Sequence, residues 1–153
     1  MSSPQEVKTF WRYITSSINR LVSCLDGLNE AELNWKPLPN GNSLYALATH
    51  TLANTEENIL GVLCGQPVIR HREEEFKACG DSSELIHRKW GELRERIEER
   101  FEELSPTSLN EEREHPRRGT VKGREILIVV ARHTAEHLGQ AELTRDLVLS
   151  KQE

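Results

Sequence analysis

The stretch ILIVVARHTAEHLGQAELTRDLV, residues 126–148, decides the fold of this chain. Apolar residues recur along it at intervals of three and four, which is the spacing of one face of an α-helix. At about 100° per residue, the positions within about 60° of Ile126 form one stripe. They are Val130, His133, His137, Ala141, Thr144 and Val148. The sequence therefore predicts a long last helix, starting near residues 120–124, that turns two imidazoles toward the middle of a buried stripe.

The first helix is predicted from its N-terminal residues. Ser3 can cap it, Pro4 suits the first helical position, and Glu6 completes a capping box. Apolar residues then recur at helical spacing as far as Leu25. Gly27 marks the end of this helix, because glycine adopts the left-handed conformation that follows many helices.

Two further helices are predicted between the first and the last. The second starts at a cap formed by Ser43 or Asn42 and ends at Gly65. It is apolar around much of its circumference, which predicts deep burial. The third follows a cap-like residue, Asp81, and is broken by the Ser-Pro pair at 105–106.

The predicted fold class is all-α, a four-helix bundle that forms one domain over residues 1–153. Strand signals are absent, since no run of alternating β-branched residues lies between turn residues. Four helices of about 20 to 27 residues have the proportions of such a bundle. The segments 66–79 and 105–121 are predicted to be connections.

Composition excludes several classes of function. The 153 residues carry a net charge of -5, which gives no general affinity for nucleic acid or anionic lipid. No apolar run approaches the roughly 20 residues that cross a bilayer, and the N-terminus lacks a signal-peptide layout. The chain has three cysteines, Cys24, Cys64 and Cys79, which is an odd number and shows no metal-ligand spacing. We therefore expect reduced cysteines in a cytoplasmic protein.

The pair His133 and His137 carries the strongest functional signal. Burying two imidazoles one turn apart costs desolvation, and each polar ring nitrogen needs a partner. A shared metal ion removes that cost, so the pair favours metal ligation over two hydrogen-bonded core histidines. A third ligand must come from another helix, and His50 is the candidate. Its face of the second helix carries small or polar residues that leave room for a cavity: Ala46, Ala53, Asn54, Glu57 and Gly61.

The remaining histidines are predicted to be surface residues. His71 and His115 fall in connecting segments, and His87 lies at the edge of the apolar stripe of the third helix. The loop around His115, with Arg117 and Arg118, could close over an anionic substrate, although loops are commonly basic without such a role.

Two other metal motifs fail on spacing. The string HTAEH matches the inverted zinc-peptidase pattern H-x-x-E-H, with Glu136 as base. Those enzymes need a further glutamate far downstream, and 16 residues follow His137. A di-iron carboxylate bundle needs two helical Glu-x-x-His units, and neither His133 nor His137 has a glutamate three residues before it.

The remaining pattern resembles the DinB/YfiT-like family, described as metal-dependent enzymes. The resemblance rests on His50, on the string His-x-x-x-His-x-Gly-Gln at 133–140, and on the Trp-Lys-Pro loop at 35–37. It covers nearly the whole chain and implies an up-down-down-up bundle, three histidine ligands and frequently a homodimer. In the related mycothiol-dependent isomerases a glutamate replaces the first histidine of the pair, so His133 places this chain near the three-histidine branch.

The ligand set indicates the chemistry. Three neutral imidazoles leave the full charge on a divalent ion and one coordination position open. Zinc is the default expectation, although imidazole also suits nickel, iron and copper. By helical position Asn54, Glu57 and Gln140 are candidates for orienting the rings, or are ordinary polar residues.

Two classes of function remain open. Some members of the resembled family transfer low-molecular-weight thiols, bacillithiol or mycothiol, to small electrophiles. The first expectation is therefore a metal-dependent enzyme, either a thiol S-transferase or a hydrolase. The alternative is a metal- or ligand-binding bundle that acts as an interaction module without catalysis. A third possibility is that the site holds no metal and the histidines are structural.

Overall fold

The computed structural model describes residues 4–151, in which long helices are joined by short elements and one small hairpin. The elements are α1 (Gln5–Ser23), α2 (Glu30–Leu33), α3 (Leu44–Thr55) with a π-helical continuation (Glu56–Leu63), α4 (Arg72–Glu75), α5 (Glu84–Phe101), β1 (Glu112–His115), β2 (Gly119–Lys122) and α6 (Gly123–Ser150). The four predicted helices correspond to α1, α3 with its continuation, α5 and α6. The predicted all-α class is confirmed.

The first helix begins at Gln5, after Pro4, whose fixed backbone angle suits a helix start. The predicted cap, Ser3, lies outside the described residues. The carboxylate of Glu6 accepts two hydrogen bonds from Arg124 of α6, at 2.7 and 2.9 Å. This pair ties the start of the first helix to the start of the last.

The second helix starts and ends as predicted. The Ser43 hydroxyl accepts a hydrogen bond from the backbone N–H of Ala46 at 3.1 Å, and Gly65 has a φ of 69° past the end. Most side chains of α3 are buried, as its all-round apolar character predicts. The π-helical continuation holds one extra residue in each hydrogen-bonded turn, which changes the side chains that face inward.

The prediction that strands are absent is wrong. β1 and β2 form an antiparallel hairpin in which Glu112 pairs with Lys122 and His115 pairs with Gly119. The sequence of the hairpin is polar, and its two strands bury only His115 and Val121. The alternating hydrophobic pattern by which strands are predicted is therefore missing. The hairpin is held by packing of β1 on the π-helical segment and of β2 on α6.

Two predicted boundaries also differ. The helix α5 begins at Glu84 after Ser83, so Asp81 does not cap it. The connection at 66–79 contains α4, which packs against α3. This short helix has three consecutive glutamates and no apolar repeat, so the sequence does not predict it. Its position depends on the contact with α3.

The core lies where α1, α3 and α5 meet and where α1 packs along α6. The ring of Trp11 on α1 meets Trp90 and Phe101 of α5, with centroids 6.0 and 5.3 Å away. Gly123 permits a close approach at the start of α6, because a Cβ there would lie 2.5 Å from the carbonyl oxygen of Ser108. Within the described range, no helix has the length and apolar character needed to cross a bilayer.

Candidate metal centre

Three imidazoles from two helices meet at one point. His50 lies on α3, and His133 and His137 lie one turn apart on α6, which packs against α3. The Nε2 atom of His133 lies 3.0 Å from Nε2 of His50 and 3.1 Å from Nε2 of His137. The candidate ligand atoms of the three rings lie within 4.8 Å of one another. The structure therefore brings the three predicted ligands together.

The outer nitrogens of two of these rings have oxygen partners. Nδ1 of His50 lies 2.8 Å from Oε1 of Glu75, and Nδ1 of His137 lies 2.8 Å from Oε1 of Gln140. A carboxylate oxygen and an amide oxygen accept hydrogen bonds, so each Nδ1 carries the hydrogen. When such a ring carries a single hydrogen, its Nε2 atom has a lone pair, and this lone pair is directed at the third ring.

The three Nε2 atoms cannot all be satisfied unless a cation lies between the rings. Nε2 of His133 holds at most one hydrogen, so it can satisfy only one of the two lone pairs aimed at it. Nδ1 of His133 is buried and has no hydrogen-bond partner among residues 4–151. Two imidazole nitrogens bound to zinc at about 2.0–2.1 Å with tetrahedral geometry lie about 3.3 Å apart. The observed spacings are close to that value, so the donor set fits a divalent metal ion.

Burial keeps two of the rings neutral. Burial lowers the pKa of His50, although the hydrogen bond to Glu75 opposes this. Burial and the nearby His137 and His50 lower the pKa of His133 to about 3. Neutral imidazole is the form that ligates metal, so neither ring must lose a proton near neutral pH before it binds an ion.

The two histidines of α6 lie at the edge of the buried stripe, whereas the helical spacing predicted its middle. His50 is buried, but His133 and His137 are half-buried. On this part of α6 the most covered positions are Thr134 and Leu138. The edge position leaves one side of the three-histidine cluster accessible from solvent, which a site that binds a small molecule requires.

A buried ion pair supports His50 from behind. Arg70 donates hydrogen bonds to both carboxylate oxygens of Glu75, at 2.8 and 2.9 Å, and both side chains are only 6% exposed. Nη2 of Arg70 also lies 3.4 Å from Nδ1 of His50, which is too long to compete with the carboxylate at 2.8 Å. Arg70 therefore fixes Glu75, and Glu75 in turn orients the imidazole.

Glu57 extends this network by linking two arginines. Its carboxylate lies 3.5 Å from Nη1 of Arg70 and accepts a hydrogen bond from Arg117. Burial raises the pKa of Glu57, but Arg117 and Arg70 lower it by more, so the pKa lies below its ordinary value. Two carboxylates and two guanidinium groups thus balance one another close to the three histidines.

The three residues predicted to orient the rings lie in different surroundings. The side-chain oxygen of Gln140 accepts a hydrogen bond from the ring of His137. Glu57 pairs with two arginines instead. Asn54 is buried, and its Oδ1 has no hydrogen-bond partner in the described part of the chain. Sequence reasoning missed Glu75, because it lies in the weakly periodic segment 66–79 beside two other glutamates that are exposed.

The prediction that His115 is a surface residue is wrong. The side chain is buried beneath the hairpin, with Nε2 2.9 Å from Oδ1 of Asn58. Its Nδ1 accepts a hydrogen bond from the backbone N–H of Arg117 at 3.0 Å, so Nε2 carries the hydrogen and donates it to Asn58. Burial, followed by the charge of Arg117, lowers the pKa of His115. His71 and His87 are exposed, as predicted.

Comparison with known proteins identifies a family and several solved structures of the same fold. A family model described as the DinB superfamily matches residues 13–141. A crystal structure of a conserved protein from Enterococcus faecalis is 18% identical, with a TM-score of 0.77, and the alignment covers 94% of this chain and 96% of that one. A DinB-like protein from Bacillus cereus ATCC 10987 is 17% identical, with a TM-score of 0.73 and coverage of 94% and 92%. None of the curated proteins matches this chain significantly.

Proposed function

Since the chain belongs to the DinB superfamily, we propose that it is a metalloprotein that binds one divalent metal ion through His50, His133 and His137. The observation that carries this proposal is the convergence of three Nε2 atoms while Glu75 and Gln140 occupy two of the outer nitrogens. Zinc is the metal proposed first, with nickel and iron as alternatives, because all three accept imidazole ligands.

We further propose that the site is catalytic and that the protein is a low-molecular-weight thiol S-transferase or a hydrolase. When bound, a divalent ion with three imidazole ligands lowers the pKa of a water or thiol at its open position. The chain's own part is to fix the three rings through Glu75 and Gln140 and to leave the half-buried side of the cluster accessible. In the transferase reaction, sulfur bonds to the electrophilic carbon as the leaving group departs, and the thiol proton passes to solvent.

Metal analysis of purified protein tests the first proposal. We expect about one metal ion per chain in the wild type and in His71→Ala, a matched control at an exposed histidine. His137→Ala and His50→Ala should lose the metal. Equal metal content in all four proteins would show that these histidines are not the ligands.

An activity screen tests the catalytic proposal. Metal-loaded wild type is assayed with a panel of thiols and small electrophiles and, separately, with ester and amide substrates. Turnover that disappears in His137→Ala, but not in His71→Ala, supports the enzyme. A full metal complement without turnover across the panel would favour the alternative, a binding bundle that acts as an interaction module.

The homodimer and the cytoplasmic location that the sequence suggested stay predictions. Light scattering coupled to size-exclusion chromatography checks the first, with a dimer mass expected. Cell fractionation with an antibody to the protein checks the second.

A further inference from the structure

A cavity of about 450 Å³ opens beside the three-histidine cluster. It reaches His133 at one side and the β1–β2 hairpin at the other, and its size lies within the range of about 300–1,000 Å³ typical of small-molecule sites. The side chains that line it are predominantly polar, and four of them are arginines: Arg72, Arg117, Arg118 and Arg132.

The charge of this cavity opposes the charge of the whole chain. The protein has a net charge of -5, yet the lining includes four arginines and a single carboxylate, Glu136. Arg117 is paired with Glu57 behind the wall, and Arg132 lies 3.8 Å from Glu136, with both side chains largely exposed. A cluster of guanidinium groups facing a concave surface attracts and orients anions.

Two of the four arginines form no ion pair with a carboxylate in the described part of the chain. Among residues 4–151, neither Arg72 nor Arg118 forms an ion pair. They come from different parts of the chain, Arg72 from α4 and Arg118 from the turn of the hairpin. The cavity thus has two uncompensated cations on separate walls.

A buried polar side chain in the same cavity is also without a partner. Asn54 on α3 is 9% exposed, lines the cavity, and has a side-chain oxygen with no hydrogen-bond partner in the described residues. Buried amide oxygens normally accept a hydrogen bond, so an uncommitted one beside a cavity points to a ligand that carries a hydrogen-bond donor. Nearby, the hydrogen bond between His115 and Asn58 holds the hairpin wall in place.

We propose that this cavity binds a small anionic molecule whose phosphate or carboxylate group is held by Arg72 and Arg118 and whose hydroxyl or amine group donates a hydrogen bond to the side-chain oxygen of Asn54. Arginine suits both groups, because its planar guanidinium donates paired hydrogen bonds to two oxygens. Bound there, the rest of the ligand lies against His133. Binding of the anion requires only the cavity. The further step, that this anion is the substrate of the metal site, rests on the proposed function.

Titration calorimetry with inorganic phosphate and with succinate, at constant ionic strength, tests the proposal. The metal is first removed with an immobilised chelator, because a soluble polycarboxylate chelator would occupy the cavity. Arg72→Gln and Arg118→Gln are compared with wild type and with Arg88→Gln, a control at an exposed arginine of α5 that lacks an ion pair in the described chain. Thermal melts establish that each variant is folded.

We expect the two cavity variants to bind about tenfold more weakly than wild type, and the control to bind as wild type does. The stronger of the two ligands identifies the group, phosphate or carboxylate. Absence of binding at millimolar concentration, equal binding by all variants, or an equal loss in the control would overturn the proposal. Metal content is measured on each purified protein before the chelator treatment. Anion binding by a protein that was purified without metal would leave this inference standing while the proposed function fails, and metal in the purified protein without anion binding would do the reverse.

Discussion

Replacing Glu75 by Gln should weaken metal binding without touching a ligand. Glu75 is buried, and its Oε1 lies 2.8 Å from Nδ1 of His50 while Arg70 holds both of its oxygens. Glutamine keeps an oxygen that can accept from the ring but removes the negative charge. A carboxylate behind a ligating histidine raises the basicity of that ligand and fixes its tautomer, so the substitution loses both effects in part.

The expected loss of zinc affinity is about 10- to 100-fold, which corresponds to roughly 1.4–2.7 kcal/mol. Stability should also fall, because Arg70 is almost fully buried and loses its closest carboxylate. Breaking a buried ion pair costs about 3–5 kcal/mol. Since Glu57 remains 3.5 Å from Arg70 and glutamine retains one acceptor, we expect about 2–3 kcal/mol here.

Competition with a chromophoric chelator measures zinc affinity near neutral pH, and urea denaturation of the metal-free protein measures stability. Glu74→Gln is the matched control, because it lies on the same short helix with a side chain that is 72% exposed. It should bind zinc as wild type does and unfold at the same urea concentration. Zinc binding by Glu75→Gln within twofold of this control would refute the argument that Glu75 orients His50.

Three further substitutions test the surrounding structure. Glu57→Gln should cost on the order of 1–3 kcal/mol near pH 7. Because the folded pKa of Glu57 is lowered, its ionisation adds stability above the unfolded pKa of about 4.3, and this is lost as pH falls through the folded pKa. Urea denaturation should therefore show the difference from wild type shrinking as the pH falls below the unfolded pKa of about 4.3, whereas a constant difference would contradict it. Gly91→Ala on α5, where a Cβ meets open space, should stabilise by about 0.5–1 kcal/mol. Gly123→Ala should lower the free energy of unfolding by about 1–3 kcal/mol, because the added Cβ would lie 2.5 Å from the backbone oxygen of Ser108. Equal changes in stability in both glycine variants would contradict the close packing at Gly123.

The long helices and the histidine pair could be predicted because local signals specify them. Residues four apart on a helix share a face, and an apolar stripe fixes which face turns inward. The same spacing places Gln140 within reach of His137, one turn further along α6. Ser43 could be predicted as a cap because its contact is with the backbone three residues away.

Features that depend on tertiary contact could not be predicted. Asn54 and Glu57 share a face with His50 if α-helical geometry continues. The π-helical turn starting at Glu56 breaks that register, and Glu57 meets arginines instead. Glu75 is indistinguishable in sequence from its exposed neighbours, and only the packing of α4 on α3 selects it.

The hairpin shows the same limit. His115 lies in a polar, proline-containing segment, which predicts an exposed loop. Its burial depends on Asn58 of the π-helical segment, which accepts the ring hydrogen and lies 57 residues away in sequence. The four arginines of the cavity likewise come from three separate segments of the chain, so their convergence has no local signal.

X-ray absorption spectroscopy of the zinc-loaded protein tests the central claim most directly, because it counts the atoms bound to the metal. The geometry of His50, His133 and His137 predicts three imidazole nitrogens at about 2.0–2.1 Å and one further light atom at the open position. His133→Ala should lower the imidazole count or abolish binding. A spectrum with sulfur ligands, or with a single imidazole in the wild type, would contradict a three-histidine metal centre.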